Sequence, residues 1–264
     1  MIGLRAHDYG KRLPVDLFEA IAKDGWKAVQ LAFPKAIEGV ESFDGISPEI
    51  IADVKSAATD NDIYVAVVGV YVEPSFLDET KRMEQIRHLN NALPIVKALG
   101  AGCVGTETTV RSEDSGISAL YKSLEYLLPE AERLGVNIGI EPVHRHNLCT
   151  PELAQHMLRD FSSPSLKIIF DPLNLLTPDL IATQNDMWKR CLDCFGDRII
   201  AIHMKGASGE LDNNGMLAEV PFAKSVLDHE GLFSLIKHLN VPILREGVNP
   251  AEAANDIAFI NRFL

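Results

Sequence analysis

The chain has 264 residues, 25 basic and 37 acidic, for a formal charge of −12, with 47% hydrophobic and 23% charged side chains. That balance belongs to an ordinary globular protein and excludes disorder, collagen-like repeats and disulfide-rich miniproteins. It also argues against a nucleic-acid partner, because gripping a phosphate backbone calls for a basic surface.

The longest apolar stretch, Ile63 to Val72, is about half of the ~20 residues a spanning helix needs. The start MIGLRAHDYG lacks the basic-then-apolar pattern of a signal peptide. Four cysteines, Cys103, Cys149, Cys191 and Cys194, make no disulfide framework. The expected location is the cytoplasm, with no membrane partner.

Short β-branched runs alternate with longer helical patterns along the whole chain. The expected strands are Ile2–Ala6, Ala28–Ala32, Tyr64–Val68, Cys103–Gly105, Asn137–Ile140, Lys167–Phe170, Ile199–Ile202 and Ile243–Leu244. Runs such as VAVV and KIIF do not alternate, as expected of parallel strands buried on both faces. Ser47-Pro48, Thr150-Pro151, Thr177-Pro178 and Asn249-Pro250 each place a capping oxygen before a proline, a helix-start signature. Glu252 stands at a capping-box distance from Asn249. Gly25, Gly100, Gly135 and Gly196 mark helix ends, where a left-handed residue is tolerated. Ile117, Leu120, Leu124, Leu128 and Ala131 form one apolar stripe, and Pro94 and Pro129 are expected to kink or divide their helices. The Gly-, Asn- and Asp-rich segment from Gly206 to Lys224 reads as a loop. Eight such units with no linker predict one (β/α)₈ barrel domain over residues 1–264. An open doubly wound sheet is the alternative, but its glycine-rich turn after the first strand is missing.

In such a barrel the strand C-termini and the loops after them build the active face. Those positions hold Glu141, Asp171, His203 and Glu246, spaced 30, 32 and 43 residues apart. Three carboxylates and an imidazole on one rim repel one another unless a cation sits between them. That donor set suits Mn²⁺, Co²⁺ or Mg²⁺, with Zn²⁺ also admissible. The plainer alternative is a set of salt bridges with Arg245 or Lys205.

The motifs IGIEPV around Glu141, IFDPLN around Asp171, AIHMKG around His203 and LREGVN around Glu246 carry a resemblance. The chain resembles the xylose-isomerase-like TIM barrels of the sugar phosphate isomerase/epimerase group, relatives of ketose 3-epimerases and of inosose isomerases and dehydratases. The resemblance implies that Glu141, Asp171, His203 and Glu246 bind one divalent metal. It further implies that Glu141 and Glu246 move protons next to a carbonyl of a small sugar, sugar phosphate or cyclitol ketone, through a metal-stabilised enediolate. Expected substrate contacts are His144, Arg145, His146, Asn174, Glu107, Lys205 and His7. Homo-oligomeric assembly is compatible with the resemblance.

Two departures stand out. Asn174 occupies the place where the sugar epimerases carry a histidine, and asparagine can hydrogen-bond hydroxyls but cannot carry a proton. No arginine follows His203 at the distance expected of those epimerases. An inosose-dehydratase-like hydro-lyase and a sugar-binding barrel without turnover are therefore kept as alternatives. The extra histidines of three-zinc DNA-repair relatives are missing. Cys191 and Cys194 lie in a helical pattern without a second CxxC, so packing cysteines are expected. His156, His229 and His238 are expected on outer helices, and Trp26 at a helix–strand junction.

Overall fold

The computed structural model describes residues 1–111 and 116–264. Its barrel strands are β1 (Ile2–Arg5), β2 (Ala28–Leu31), β3 (Tyr64–Gly69), β4 (Cys103–Glu107), β5 (Ile138–Glu141), β6 (Leu166–Phe170), β7 (Ile199–Met204) and β10 (Ile243–Arg245). They close in the order β1-β10-β7-β6-β5-β4-β3-β2, every neighbouring pair parallel. The helices between them are α1 (Pro14–Lys23), the short α2 (Phe33–Ala36), α3 (Pro48–Asp60), α4 (Glu79–Leu99), α5 (Gly116–Leu134), α6 (Pro151–Phe161), α7 (Gln184–Phe195), α8 (His229–Ile236) and α9 (Ala253–Asn261). This is the expected (β/α)₈ barrel. Among the described residues, no helix is long and apolar enough to cross a membrane.

The core has two parts. A small cluster inside the barrel comprises Ala28, Ala66, Val67, Cys103, Ile169, Ala201 and Leu244. A far larger one lies between the barrel and the helices, around Trp26, Phe18, Phe170, Trp188 and Phe233. The interior is tight because Ile169 fills it: a Cβ on Gly105 would lie 2.7 Å from Ile169 Cδ1, and one on Gly139 would lie 2.9 Å from its Cγ1. Glycine is needed at both positions for close approach.

Most helix punctuation reads true. Ser47 Oγ accepts from Ile50 N–H and Thr150 Oγ1 from Leu153 N–H. Gly25, Gly100 and Gly135 have positive φ. The stripe from Leu120 to Ala131 is buried on α5, and Trp26 is fully buried and donates to Tyr9 Oη at 3.1 Å.

Several expectations need correction. Gly196 is right-handed, because the chain runs on into a 3₁₀ turn (Gly196–Arg198) instead of ending there. The starts at Pro178 and Pro250 open 3₁₀ turns rather than α-helices. Glu252 accepts from Asn255 instead of closing a capping box. Pro94 and Pro129 lie inside helices that continue past them, so neither divides its helix.

The segment after β7 is not a loop but an antiparallel hairpin, β8 (Gly206–Leu211) and β9 (Leu217–Val220). Asp212 organises its turn: Oδ1 accepts from Asn214 N–H at 2.8 Å and Met216 N–H at 2.9 Å, and Gly215 takes φ +72°. An Asn-Gly pair between two short runs is a hairpin signal.

Candidate active site

Four neighbouring strands bring the rim residues together. Glu141 is the last residue of β5, Asp171 follows β6, His203 lies near the end of β7, and Glu246 follows β10. All four are buried. Donor atoms of Glu141, Asp171 and His203 lie within 4.8 Å of one another and could hold a metal ion. His203 Nδ1 stands 2.9 Å from Glu141 Oε2 and 3.3 Å from Glu246 Oε1, so two carboxylates converge on one imidazole nitrogen.

The donor set fits a divalent cation. Asp171 Oδ2 and both ring nitrogens of His203 are buried without a hydrogen-bond partner. Buried polar atoms seldom go without a hydrogen bond, and one donor atom from each of Asp171, His203 and Glu141 lies within reach of a single ion. The other oxygens are spoken for: Asp171 Oδ1 accepts from the N–H groups of Leu173 and Asn174, and Glu141 Oε1 accepts from Asn174 Nδ2 at 2.5 Å. Lone pairs free on one side and anchored on the other are what an oriented ligand shell needs.

Lys205 enters the same site from β7's end. Its Nζ lies 2.8 Å from Glu246 Oε2, 3.1 Å from Asp171 Oδ2 and 3.5 Å from Glu219 Oε1 of the hairpin. The salt-bridge alternative thus holds in part for Lys205, whereas Arg245 pairs with Asp256 at 3.0 Å, away from the rim carboxylates.

Charge and burial compete here. Burial pushes Asp171 up to about 6 against the opposing pull of Lys205. Burial would lower His203, but the Glu141 and Glu246 charges outweigh it and bring the imidazole up to about 9. Glu246 goes the other way: burial raises it, and Lys205, His203 and Arg5 together hold it far below the usual carboxylate range.

The expected substrate contacts divide. Glu107 is aligned with Glu141 across β4 and β5, and burial followed by the Glu141 charge pushes it up to about 8. His146 Nδ1 is 3.5 Å from Glu107 Oε2, and both residues line a cavity of about 470 Å³ with Tyr71 and Phe76. Asn174 faces Glu141, and His7 packs edge-on to Tyr71 with ring centroids 6.0 Å apart. His144 is turned toward the Asn174 carbonyl, and exposed Arg145 abuts Gly215 in the hairpin turn. Cys191 is buried and Cys194 half-buried, both free. His156 and His238 are exposed, whereas His229 is buried among Phe222 and Phe259.

Four mouth residues lie outside that expected set: Arg5, Gln30, Lys35 and Tyr71. Arg5 Nη1 is 3.7 Å from Glu246 Oε2, Gln30 Nε2 donates to Tyr71 Oη at 2.9 Å, and Lys35 Nζ sits 3.5 Å above the Tyr71 ring. Arg5 and Gln30 lie at the ends of β1 and β2, and Lys35 and Tyr71 in the segments that follow β2 and β3, so the rule that located Glu141 also reaches them.

The sequence profile of the xylose isomerase-like TIM barrel matches residues 18–262, and the chain belongs to that family. No curated protein matches it in sequence. Among solved structures, it is similar to a D-tagatose 3-epimerase-like protein at 17% identity and TM-score 0.80, covering 99% of this chain and 96% of that one. The 3-keto-D-glucoside 4-epimerase YcjR from E. coli gives 18% and 0.74, over 99% and 98% of the two chains. The probable 3-DHS dehydratase AsbF from Bacillus anthracis gives 12% and 0.75, over 98% of each. A Mycobacterium smegmatis barrel of this kind holds magnesium (15%, 0.72, 99% and 95%), and the IOLI protein holds zinc (16%, 0.73, 99% and 95%). At these identities the likeness is one of fold.

Proposed function

We propose that the protein is a divalent-metal-dependent isomerase or epimerase of a small sugar, sugar phosphate or cyclitol ketone, working by proton transfer next to a carbonyl. The carrying observation is the buried set Glu141, Asp171 and His203, one donor atom of each lying within 4.8 Å of the others. The reading takes residues 1–264 as one barrel domain acting in the cytoplasm on a small carbohydrate, with homo-oligomeric assembly open to measurement.

Glu141, Asp171, His203 and Glu246 would hold the ion, Mn²⁺, Co²⁺ or Mg²⁺ by the oxygen-rich donor set and Zn²⁺ by the imidazole. When bound, it supplies Lewis-acid polarisation of the substrate carbonyl. Family membership supports this choice, as do the epimerases of the same fold and its magnesium- and zinc-bound members.

The chain's own groups handle the proton. Glu246, beside Lys205 and Arg5, and Glu141, oriented by Asn174, both approach His203 Nδ1, and this pair of carboxylates would take a proton from carbon and return one. Burial of Glu141, Asn174, His203, Lys205 and Glu246 would limit water at the transfer. Glu107, His146, Asn174, Lys205 and His7 would contact substrate hydroxyls. His144 and Arg145 sit one layer further out.

Lys205 favours a second reading as a hydro-lyase. Its buried ammonium lies beside the same carboxylates, where its N–H groups would hydrogen-bond a departing hydroxyl that leaves as water with the proton a glutamate took from carbon.

The test is a panel of ketoses, ketose phosphates and inososes incubated in D₂O with Mn²⁺. Deuterium entering the carbon next to the carbonyl, and its loss in Glu141→Gln, is expected. An unsaturated ketone product would favour the hydro-lyase. Ligands that bind and survive without exchange would identify a binding barrel and overturn the enzyme reading.

A further inference from the structure

We propose that Arg5 and Lys35 form an anion-recognising edge of the barrel mouth, so that the substrate carries a phosphate or carboxylate group. The inference rests on the proton-transfer reading above, because it places that substrate over the same carboxylates.

Arg5 ends β1 with its guanidinium half-used. Nη2 meets Asp8 Oδ1 at 3.3 Å, Nη1 stands 3.7 Å from Glu246 Oε2, beyond hydrogen-bond reach, and Nε is buried without a partner. A guanidinium offers five donors in a planar fork that matches carboxylate and phosphate oxygens.

Lys35 lies on α2, directly after β2, and is exposed. Its ammonium rests on the Tyr71 ring, and among the described residues no carboxylate lies within 4 Å of it. A ring face attracts the charge but leaves N–H donors available. Burial first, and then the Arg5 charge, lowers the Lys35 ammonium. Glu107 and Glu246 act the other way on Lys35, and an anionic group at this edge would add to their support of its charge.

The neighbouring space suits a small molecule. Lys35 and Tyr71 line a cavity of about 210 Å³, and Tyr71 is also a wall of the larger cavity holding Glu107 and His146. Glu41, the carboxylate of the smaller cavity, is paired with Lys11 at 2.7 Å. In a chain of charge −12, a guanidinium whose Nε–H is unused and an ammonium held by a ring face supply donors for an anion at the mouth. Gripping a non-reacting anionic group also orients the reacting carbon.

Calorimetric titration of the Mn²⁺-loaded protein with inorganic phosphate, D-gluconate and neutral sorbitol tests the assignment. One of the anions should bind and sorbitol should not; which anion binds identifies the group. Lys35→Met should weaken that anion by about tenfold with Mn²⁺ affinity unchanged, and Lys35→Arg should retain it. Equal affinity in Lys35→Met would place the anion on the metal alone and overturn the assignment, as would anions binding no better than sorbitol. Deuterium exchange on a neutral ketose without anion binding would overturn this inference and leave the reaction standing. Lys35-dependent anion binding without exchange on any substrate would do the reverse.

Discussion

His203 Nδ1 lies 2.9 Å from Glu141 Oε2, yet the two atoms do not share a hydrogen bond. The approach is close enough for strong attraction, but the imidazole N–H direction and the carboxylate are not aligned. One donor atom of each of these residues and one of Asp171 lie within 4.8 Å of one another, close enough for one ion to reach all three residues. Lys205, wedged between Asp171 and Glu246, offsets part of the carboxylate charge.

That wedge gives the first prediction. Lys205→Met should leave two buried carboxylates facing each other and cost the metal-free protein about 3–5 kcal/mol of stability. Added Mn²⁺ should then raise the melting temperature more in the variant than in the parent. Metal-free proteins that melt together would contradict the role.

Inside the barrel, Gly139→Ala should destabilise by about 1–3 kcal/mol, because the new methyl meets Ile169 Cγ1 at 2.9 Å and Cys103 Sγ at 3.2 Å. Combined with Ile169→Val, the loss measured by urea unfolding should be smaller than the sum of the two single losses. Strict additivity would show that the interior yields elsewhere.

His229 provides a pH signature. Burial, with Arg245 and Arg262 adding and Asp228 opposing, lowers its imidazole from 6.5 to about 4. Between those values the unfolded chain takes up a proton that the folded one refuses. Stability should therefore fall as pH drops from 6.5 toward 4 and level off below. In His229→Phe that acid loss should be shallower by the same contribution, as read by melting temperature across the interval. Parallel curves would show that His229 is not buried neutral.

The barrel and half of its mouth are legible in the residues alone. Apolar runs such as KIIF followed by Asp171, or IIAI followed by His203, carry both the strand and the rim residue at its end. Arg5, Gln30, Lys35 and Tyr71 obey the same rule but are harder to read. Arg5 and Gln30 sit inside β1 and β2 rather than after a closed apolar run, Lys35 and Tyr71 lie beyond their strands, and the register shifts between Val29 and Gln30. The β8–β9 hairpin is hidden for another reason: Gly206, Ala207, Ser208 and Gly209 have poor strand propensity, and pairing with Leu217–Val220 makes them a strand. Likewise Thr177-Pro178 and Asn249-Pro250 announce a helical start, but local hydrogen bonding alone does not separate a 3₁₀ turn from an α-helix.

The claim at the centre is that Glu141, Asp171, His203 and Glu246 clasp one divalent ion. Titration with Mn²⁺, followed by the loss of the free-ion electron paramagnetic resonance signal, measures this without reference to any substrate. The account predicts one ion per chain, with affinity reduced at least about tenfold in each of Glu141→Gln, Asp171→Asn and His203→Gln. Binding that is indifferent to all three substitutions would contradict it.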